Sequence, residues 1–280
     1  MSVRIVVDST TDLPQAIRQR LTVVPLTIHF GDQEYVDGIS ITHREFYEKL
    51  IETDQLPTTS QASPEAFARV FQEAHAAGDT VVTITISSQL SGTCQSAIIA
   101  AADYPGAVFV VDSKSVTIGA GILAELALRL VDEGLDAAAI AERLTRERED
   151  VRLIAMLDTL EYLKKGGRIS KTVAFAGGIL SIKPVVSLRD GAVAILGKAR
   201  GSRQGNNLLV KEIENAGGVD FGKPILLGYT GLTDVLLRKY VADSAALWES
   251  FVEELPVTDI GSVVGTHVGP GAIATAFFKK

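Results

Sequence analysis

The sequence predicts an α/β protein in two parts, an N-terminal domain built on a parallel sheet and a C-terminal α+β domain. Three observations carry that prediction. The runs RIVV, TVVTITI and VFVV are uninterrupted and apolar, and helical patterns alternate with them, as expected of strands covered on both faces. Those runs end in Asp8-Ser9, Ser87-Ser88 and Asp112-Ser113, polar pairs at the strand ends where ligands of such sheets usually sit. Beyond Val151 the texture changes, and Asp190-Gly191 separates two apolar runs, the signal of an antiparallel hairpin. The boundary is expected near residue 155, giving domains 1–155 and 156–280 with a ligand site between them.

The elements follow in order. Asp12 is expected to cap a helix that has Pro14 in its first turn. LTVVPLTIHF makes one or two strands, with Pro25 at an edge or break. Thr42-His43-Arg44-Glu45 is a capping box ahead of the stripe Phe46, Tyr47 and Leu50. Ser63 caps the next helix, Pro64 opens it, Phe67, Val70, Phe71 and Ala74 mark its apolar face, and Gly78 stops it. A strand then empties through SSQLSG into a helix from about Thr93 to Ala102. After the strand ending at Val111 come two helices, IGAGILAELALRLVDEG and DAAAIAERLTRE. In the second half VRLIAMLD is a strand, TLEYLKKGG a short helix stopped at Gly166, and SIKPVVSLRDGAVAILGKAR the hairpin. SRQGNNLLVKEIENAG is helical, PILLGYTG a strand, and DVLLRKYVADSAALWESFVEE one helix. SVVGTHVGPGAIATAFFKK has the pattern of a strand, a glycine-rich turn and a last strand.

Composition excludes several functions. Apolar residues make up 46% and aromatics only 6%, so the core is aliphatic. Twenty-seven basic against 34 acidic residues give a net charge of −7, without the basic footprint of a nucleic-acid binder or a polybasic membrane patch. Cys94 is the single cysteine, so neither an internal disulfide nor a cysteine-built zinc site is expected. No set of His, Asp and Glu has metal-ligand spacing, and neither metal nor cofactor is expected. The chain opens directly on a strand pattern, MSVRIVVDS, and no apolar run reaches the ~18 residues of a membrane helix. A soluble, cytoplasmic protein is the expectation.

The stretch SSQLSGT raises the question of function. It matches neither G-x-x-x-x-G-K-[ST] nor G-x-G-x-x-G, but a helix N-terminus still favours an anion. A carboxylate would be held by Thr59, Ser91 and the Gly92 amide if their two loops converge; otherwise Thr58, Thr59 and Ser60 only shape a turn. The alternative is a serine nucleophile. Ser91 sits between Leu90 and Gly92, short of the G-x-S-x-G elbow, and His267 in THVGPGA is its candidate base, with no orienting acid in view. His43 and His75 are expected as solvated surface residues, and His29 as pointing outward from its strand. Arg168, with Lys164 and Lys165, suits a helix C-terminus. Arg200 and Arg203, in GKARGSRQG, form either a second anion patch or a solvated bend. Cys94 is expected to be small filler, and Asp8 and Asp112 to cap the loops that follow them.

VVDSTTDLP, TTSQASPEAF, ITISSQLSGTCQSA, VVDSKS, LEYLKKGGRIS, SIKPVVSLRDG and THVGPGA follow one another in this order. With that set the chain resembles, nearly end to end, the DegV family of bacterial fatty-acid-binding proteins, carrier subunits of fatty-acid kinases. The resemblance implies a two-domain α/β fold with one long-chain acyl group buried between the domains and no catalysis by the carrier itself. Matching TSQ makes Thr59 a carboxylate ligand, matching LSGT does the same for Ser91 beside Gly92, and His267 matches a histidine near the head group. Arg168, Arg200 and Arg203 resemble positions near the carboxylate or on the face that meets the kinase. A separate ATP-dependent kinase would phosphorylate the bound carboxylate, and the acyl phosphate would feed phospholipid synthesis. Membrane contact would be transient or through an acyltransferase, and a monomer is expected. Small-residue segments such as VAFAGGIL and IGAGILAEL either leave room for a tunnel or make an ordinary tight core, while Ala274 stands at a glycine-type position of the family and would narrow the pocket.

Overall fold

The computed structural model describes residues 2–53, 55–169, 182–249, 251 and 254–280. The segment VAFAGGIL lies outside them. In chain order the first half contains β1 (Val3–Asp8), α1 (Gln15–Arg18), β2 (Thr22–Val24), β3 (Thr27–Phe30), β4 (Gln33–Val36), α2 (His43–Glu52) and β5 (Thr58–Ser60). It continues with α3 (Pro64–Ala76), β6 (Thr80–Thr85), α4 (Thr93–Ala101), β7 (Val108–Asp112), α5 (Thr117–Asp132) and α6 (Ala137–Glu147). The second half contains β8 (Val151–Met156), α7 (Glu161–Lys165), β9 (Ile182–Arg189), β10 (Ala192–Arg200), α8 (Gly201–Asn215) and β11 (Leu226–Tyr229). It ends with α9 (Val235–Asp243), α10 (Ala245–Trp248), β12 (Val257–Asp259), α11 (Ser262–Val268) and β13 (Ile273–Phe278).

The expected parallel sheet is present, four strands in the order β2-β1-β6-β7. A second sheet of six strands runs β10-β9-β8-β13-β11-β12; it is antiparallel except for the β11–β12 pair. Residue 155 falls inside β8, the strand that holds this sheet together between β9 and β13. A third small sheet, β4-β3-β5, carries Thr59. The long helix α5 packs on β1 and β6 of the first sheet and on β8, β11 and β13 of the second. Its alanines and glycines let both sheets approach it, and one core joins Ile5, Val82 and Ile84 to Ile118, Ile122, Leu226 and Phe278. On the outer faces, α3 and α4 cover the first sheet, and α8 and α9 the second.

Local chemistry bears out many elements. Thr42 and Glu45 make the capping box, and Ser63 accepts from Ala66 N ahead of Pro64. Asp190-Gly191 turns the hairpin with φ of 51° and 81°, the left-handed pair such a turn requires. Three expectations fail. Asp12 caps nothing: the helix after it is a single turn whose N-cap is Pro14. The expected long helix from Asp234 breaks at Ser244, whose hydroxyl binds Tyr240 O at 2.6 Å and takes Trp248 Nε1 at 3.0 Å. SVVGTHV is a helix, α11, not a strand. Valine, threonine and glycine are poor helix formers, but packing decides here. Tyr47 donates to Ile260 O at 2.9 Å just before the helix, and a Cβ on Gly265 would lie 2.6 Å from the Tyr47 hydroxyl.

Candidate functional site

Between the two sheets lies a pocket of about 410 Å³. Its floor is the second sheet. Leu153 and Ala155 point to one side of β8, as Ala274 does on β13 and Val186 and Leu188 do on β9, because side chains alternate along a strand. Ala155 is paired with Ala274 on one side and with Val186 on the other. Two alanines face to face leave a trough where larger residues would close the sheet's surface. Val263, Val264 and Val268 of α11, with Ile86 and Val116, cover that trough. Ala274 therefore lines the pocket; where the resemblance implied a narrowing, its methyl group leaves the space open.

One end of the pocket is polar, and four separate segments build it: Thr59 and Gln61 from β5 and beyond, Ser91 and Gly92 before α4, Arg168 after α7, and His267 in the last turn of α11. The two hydroxyl loops do converge. Gln61 lies against Gly92, where any Cβ would collide with its Oε1, and Gln61 Nε2 donates to Ser96 Oγ at 3.0 Å. Ser91 Oγ lies 2.9 Å from Thr93 Oγ1 and accepts from Thr93 N at 3.3 Å. Arg168 donates from Nε to Leu90 O at 3.2 Å and from Nη1 to Gly166 O at 2.7 Å. No carboxylate pairs with it among the described residues, which leaves a fixed positive charge at the end of an apolar cavity.

His267 Nε2 is 2.9 Å from Thr59 Oγ1, and its buried Nδ1 has no partner among the described residues and lies against Gly166, where a side chain could not fit. Burial, and after it the charge of Arg168, pushes the imidazole pKa down to about 4, so the ring is neutral at neutral pH. In the Nε2–H tautomer the ring donates to Thr59 and leaves the threonine O–H free for an acceptor in the pocket. Thr59, Ser91, Gly92, Arg168 and His267 thus meet at one place. Arg200 and Arg203 do not; they are exposed where β10 passes into α8. Cys94 is buried, and burial raises its thiol pKa, as suits filler.

Sequence reasoning missed Gln61, although it lies inside TTSQAS, because only hydroxyl groups were weighed there. It also missed Asp12. That carboxylate accepts from Gly261 N at 3.0 Å and from Thr117 Oγ1 at 2.6 Å, joining the loop after β1 to the starts of α5 and α11. Thr117 lines the pocket with φ at 50°, a strained value for a β-branched residue, and the Asp12 bond holds it there. Burial pushes the Asp12 pKa up to about 7. His43, expected in solvent, is instead largely buried beside this cluster and bonded to Asp259 at 2.7 Å. His29 binds Ser60 at 2.9 Å, and His75 is exposed with its ring against Tyr104. Among the described residues no group of acidic, histidine or cysteine side chains is arranged to hold a metal, and no helix is long and apolar enough to cross a membrane.

Fold and pocket together define a class: a two-sheet α/β protein that encloses an apolar space with a cationic, hydroxyl-lined end. The family model described as "Uncharacterised protein, DegV family" matches residues 2–280, and the chain belongs to the DegV family. It is 34% identical over 286 residues to a DegV domain-containing protein of Caldanaerobacter subterraneus, covering 99% of both chains. Among solved structures it is similar to a fatty-acid-binding DegV family protein from Thermus thermophilus, at 37% identity and a TM-score of 0.88 over 99% of this chain and 100% of that one. It is also similar to the Fatty Acid Kinase B3 protein of Streptococcus pneumoniae loaded with linoleic acid, at 25% identity and a TM-score of 0.87 over the whole of both chains.

Proposed function

We propose that this protein carries one long-chain fatty acid, tail in the trough and carboxylate at the polar end, and presents that carboxylate to a separate kinase for acyl-phosphate formation. The observation that carries the reading is the Arg168 guanidinium at the polar end of an apolar pocket, bonded to two carbonyls but to no carboxylate among the described residues. Arg168 and the Ser91 and Thr59 hydroxyls offer charge-assisted and neutral hydrogen bonds to one carboxylate, and neutral His267 orients Thr59. A tail of about fourteen methylenes gains roughly 11 kcal/mol on burial before association costs are subtracted. Affinity therefore comes mainly from the tail, and orientation from the head group. The fatty-acid-binding relative from Thermus supports the ligand, and the kinase-associated relative from Streptococcus supports the presentation step. Arg200 and Arg203, exposed and outside the pocket, are available to meet a partner.

The test is denaturing extraction of the purified protein followed by mass spectrometry, with one fatty acid per chain expected. Adding ATP and a fatty-acid kinase catalytic subunit should give an acyl hydroxamate on trapping with hydroxylamine. Protein that purifies without lipid and does not take up added fatty acid defeats the proposal. An esterase would need Ser91 Oγ on His267 Nε2, whereas these atoms are bonded to Thr93 and Thr59. Turnover of p-nitrophenyl esters that disappears in Ser91→Ala would favour the esterase instead.

A further inference from the structure

A second cavity of about 410 Å³ backs onto the first, with Leu153, Ser187 and Leu188 lining both. Its chemistry is different. Lys114, Arg148, Arg152 and Arg189 line it, against Glu149, Asp190 and Glu212. Four cations to three carboxylates is a local excess of positive charge in a chain whose net charge is −7. Glu149 is already engaged: its Oε1 lies 2.7 Å from Lys114 Nζ and 3.4 Å from Arg148 Nε. Glu212 accepts from Asn215 at 3.3 Å. Arg152 uses Nη1 on the carbonyls of Glu149 and Val151, at 2.8 and 2.9 Å, and has no carboxylate among the described residues. The Arg189 side chain makes no hydrogen bond or ion pair with any described residue. Ser115, also in the lining, is buried, and its hydroxyl, packed against Gly119, has no partner among the described residues.

The register sharpens this. Ile154 pairs with Ser187 across β8 and β9, and both residues line the cavity. The pairing ends there; Arg152 on β8 and Arg189 on β9 each lie two residues beyond that pair, at the same alternation phase as Ile154 and Ser187, and both line the cleft where the strands part. Neither guanidinium forms an ion pair with a described carboxylate, although Asp190 and Glu212 line the same cleft. A guanidinium presents several N–H donors in a fixed fork that matches the oxygens of a phosphate, and two such forks in one cleft suit a group with more than one anionic centre. None of the lining residues is aromatic, so nothing in the cleft stacks on a base.

We propose that this cleft is a binding site for a small phosphorylated anion, held between Arg152 and Arg189. The test is calorimetric titration of the lipid-loaded protein with inorganic pyrophosphate and, separately, inorganic phosphate, at fixed low ionic strength. Saturable binding is expected, with pyrophosphate the tighter ligand. It should weaken by about tenfold or more in Arg152→Gln/Arg189→Gln, and stay unchanged in Arg238→Gln, a surface arginine already paired with Asp234. The double variant loses the Arg152 bonds to the Glu149 and Val151 carbonyls, so its fold is checked by circular dichroism. If it does not fold, Arg189→Gln alone, at an exposed position, carries the same comparison. Absence of saturable heat with either anion, binding retained in the arginine variants, or a response reproduced by sodium chloride at equal ionic strength would each overturn the proposal.

Discussion

Asp12 and Arg168 are both ionisable groups near the pocket, and the chain treats them differently. Both oxygens of Asp12 are taken by the chain's own donors, Gly261 N and Thr117 Oγ1. Arg168 is only half used: Nε and Nη1 reach two carbonyls, and no carboxylate meets it among the described residues. Beside it His267 Nδ1 also has no partner among the described residues. A buried polar group left unmade is costly, so the two arrangements have different consequences. The first region is complete and fastens the elements it touches; under the proposed function the second is completed by a ligand carboxylate. Damage around Asp12 should appear as lost stability, and damage around Arg168 as lost ligand.

The largest effect is expected at the fastened region. Asp12→Ala leaves Gly261 N–H and the Thr117 hydroxyl without their acceptor, and urea denaturation should show a loss of about 3 kcal/mol. Arg168→Gln should instead change stability by less than about 1 kcal/mol while lipid affinity falls by about 2 kcal/mol, roughly thirtyfold, in a competition assay with a fluorescent fatty acid. Ser91→Ala, which removes one neutral donor, should cost about 1 kcal/mol of affinity with the fold intact. If Arg168→Gln unfolds the protein while Asp12→Ala is silent, the contrast between the regions is reversed.

The smallest signal is a slope. Asp12 keeps its proton up to about pH 7 in the fold but only to about 3.8 when unfolded, so its contribution declines as pH rises between those values. Asp8 and Asp37, raised by burial, lean the same way. His267 leans the other way: its pKa falls from 6.5 to about 4 on folding, so its contribution is lost as pH drops through that window. Each group adds at most about 1.4 kcal/mol per pH unit. Asp12→Asn should therefore make stability rise more steeply with pH between about 4 and 6.5, and His267→Gln should make it fall, measured by denaturation at several pH values. Equal slopes in both variants would erase the distinction.

What was legible in the sequence was local. Strand runs, the capping box at Thr42, the Asp190-Gly191 turn and the hydroxyl loop each depend on neighbours a few residues away, and each stands where it was expected. What was hidden depends on partners far along the chain. The α11 segment has the composition of a strand, yet Tyr47 and Phe46 close on Gly265 and a helix fits there. Asp12, placed before a proline, has the look of a cap, and its acceptor role is set by residues 105 and 249 positions away. His43 was assigned to solvent because its helix face is charged, and Asp259 draws it inward. At the site, Thr59 and His267 were each expected near a carboxylate, but the bond between them, across 208 residues, shows only in three dimensions.

The pocket's polar end takes one or two residues from each of four distant segments, so no fragment of the chain carries it. Whatever binds there binds the native form and not the unfolded one, and mass action then ties the two together. A fatty acid at a hundred times its dissociation constant would raise unfolding free energy by about 2.7 kcal/mol. Under the proposed function, cells short of lipid would hold a softer protein and cells rich in it a more durable one, the ligand itself setting the difference.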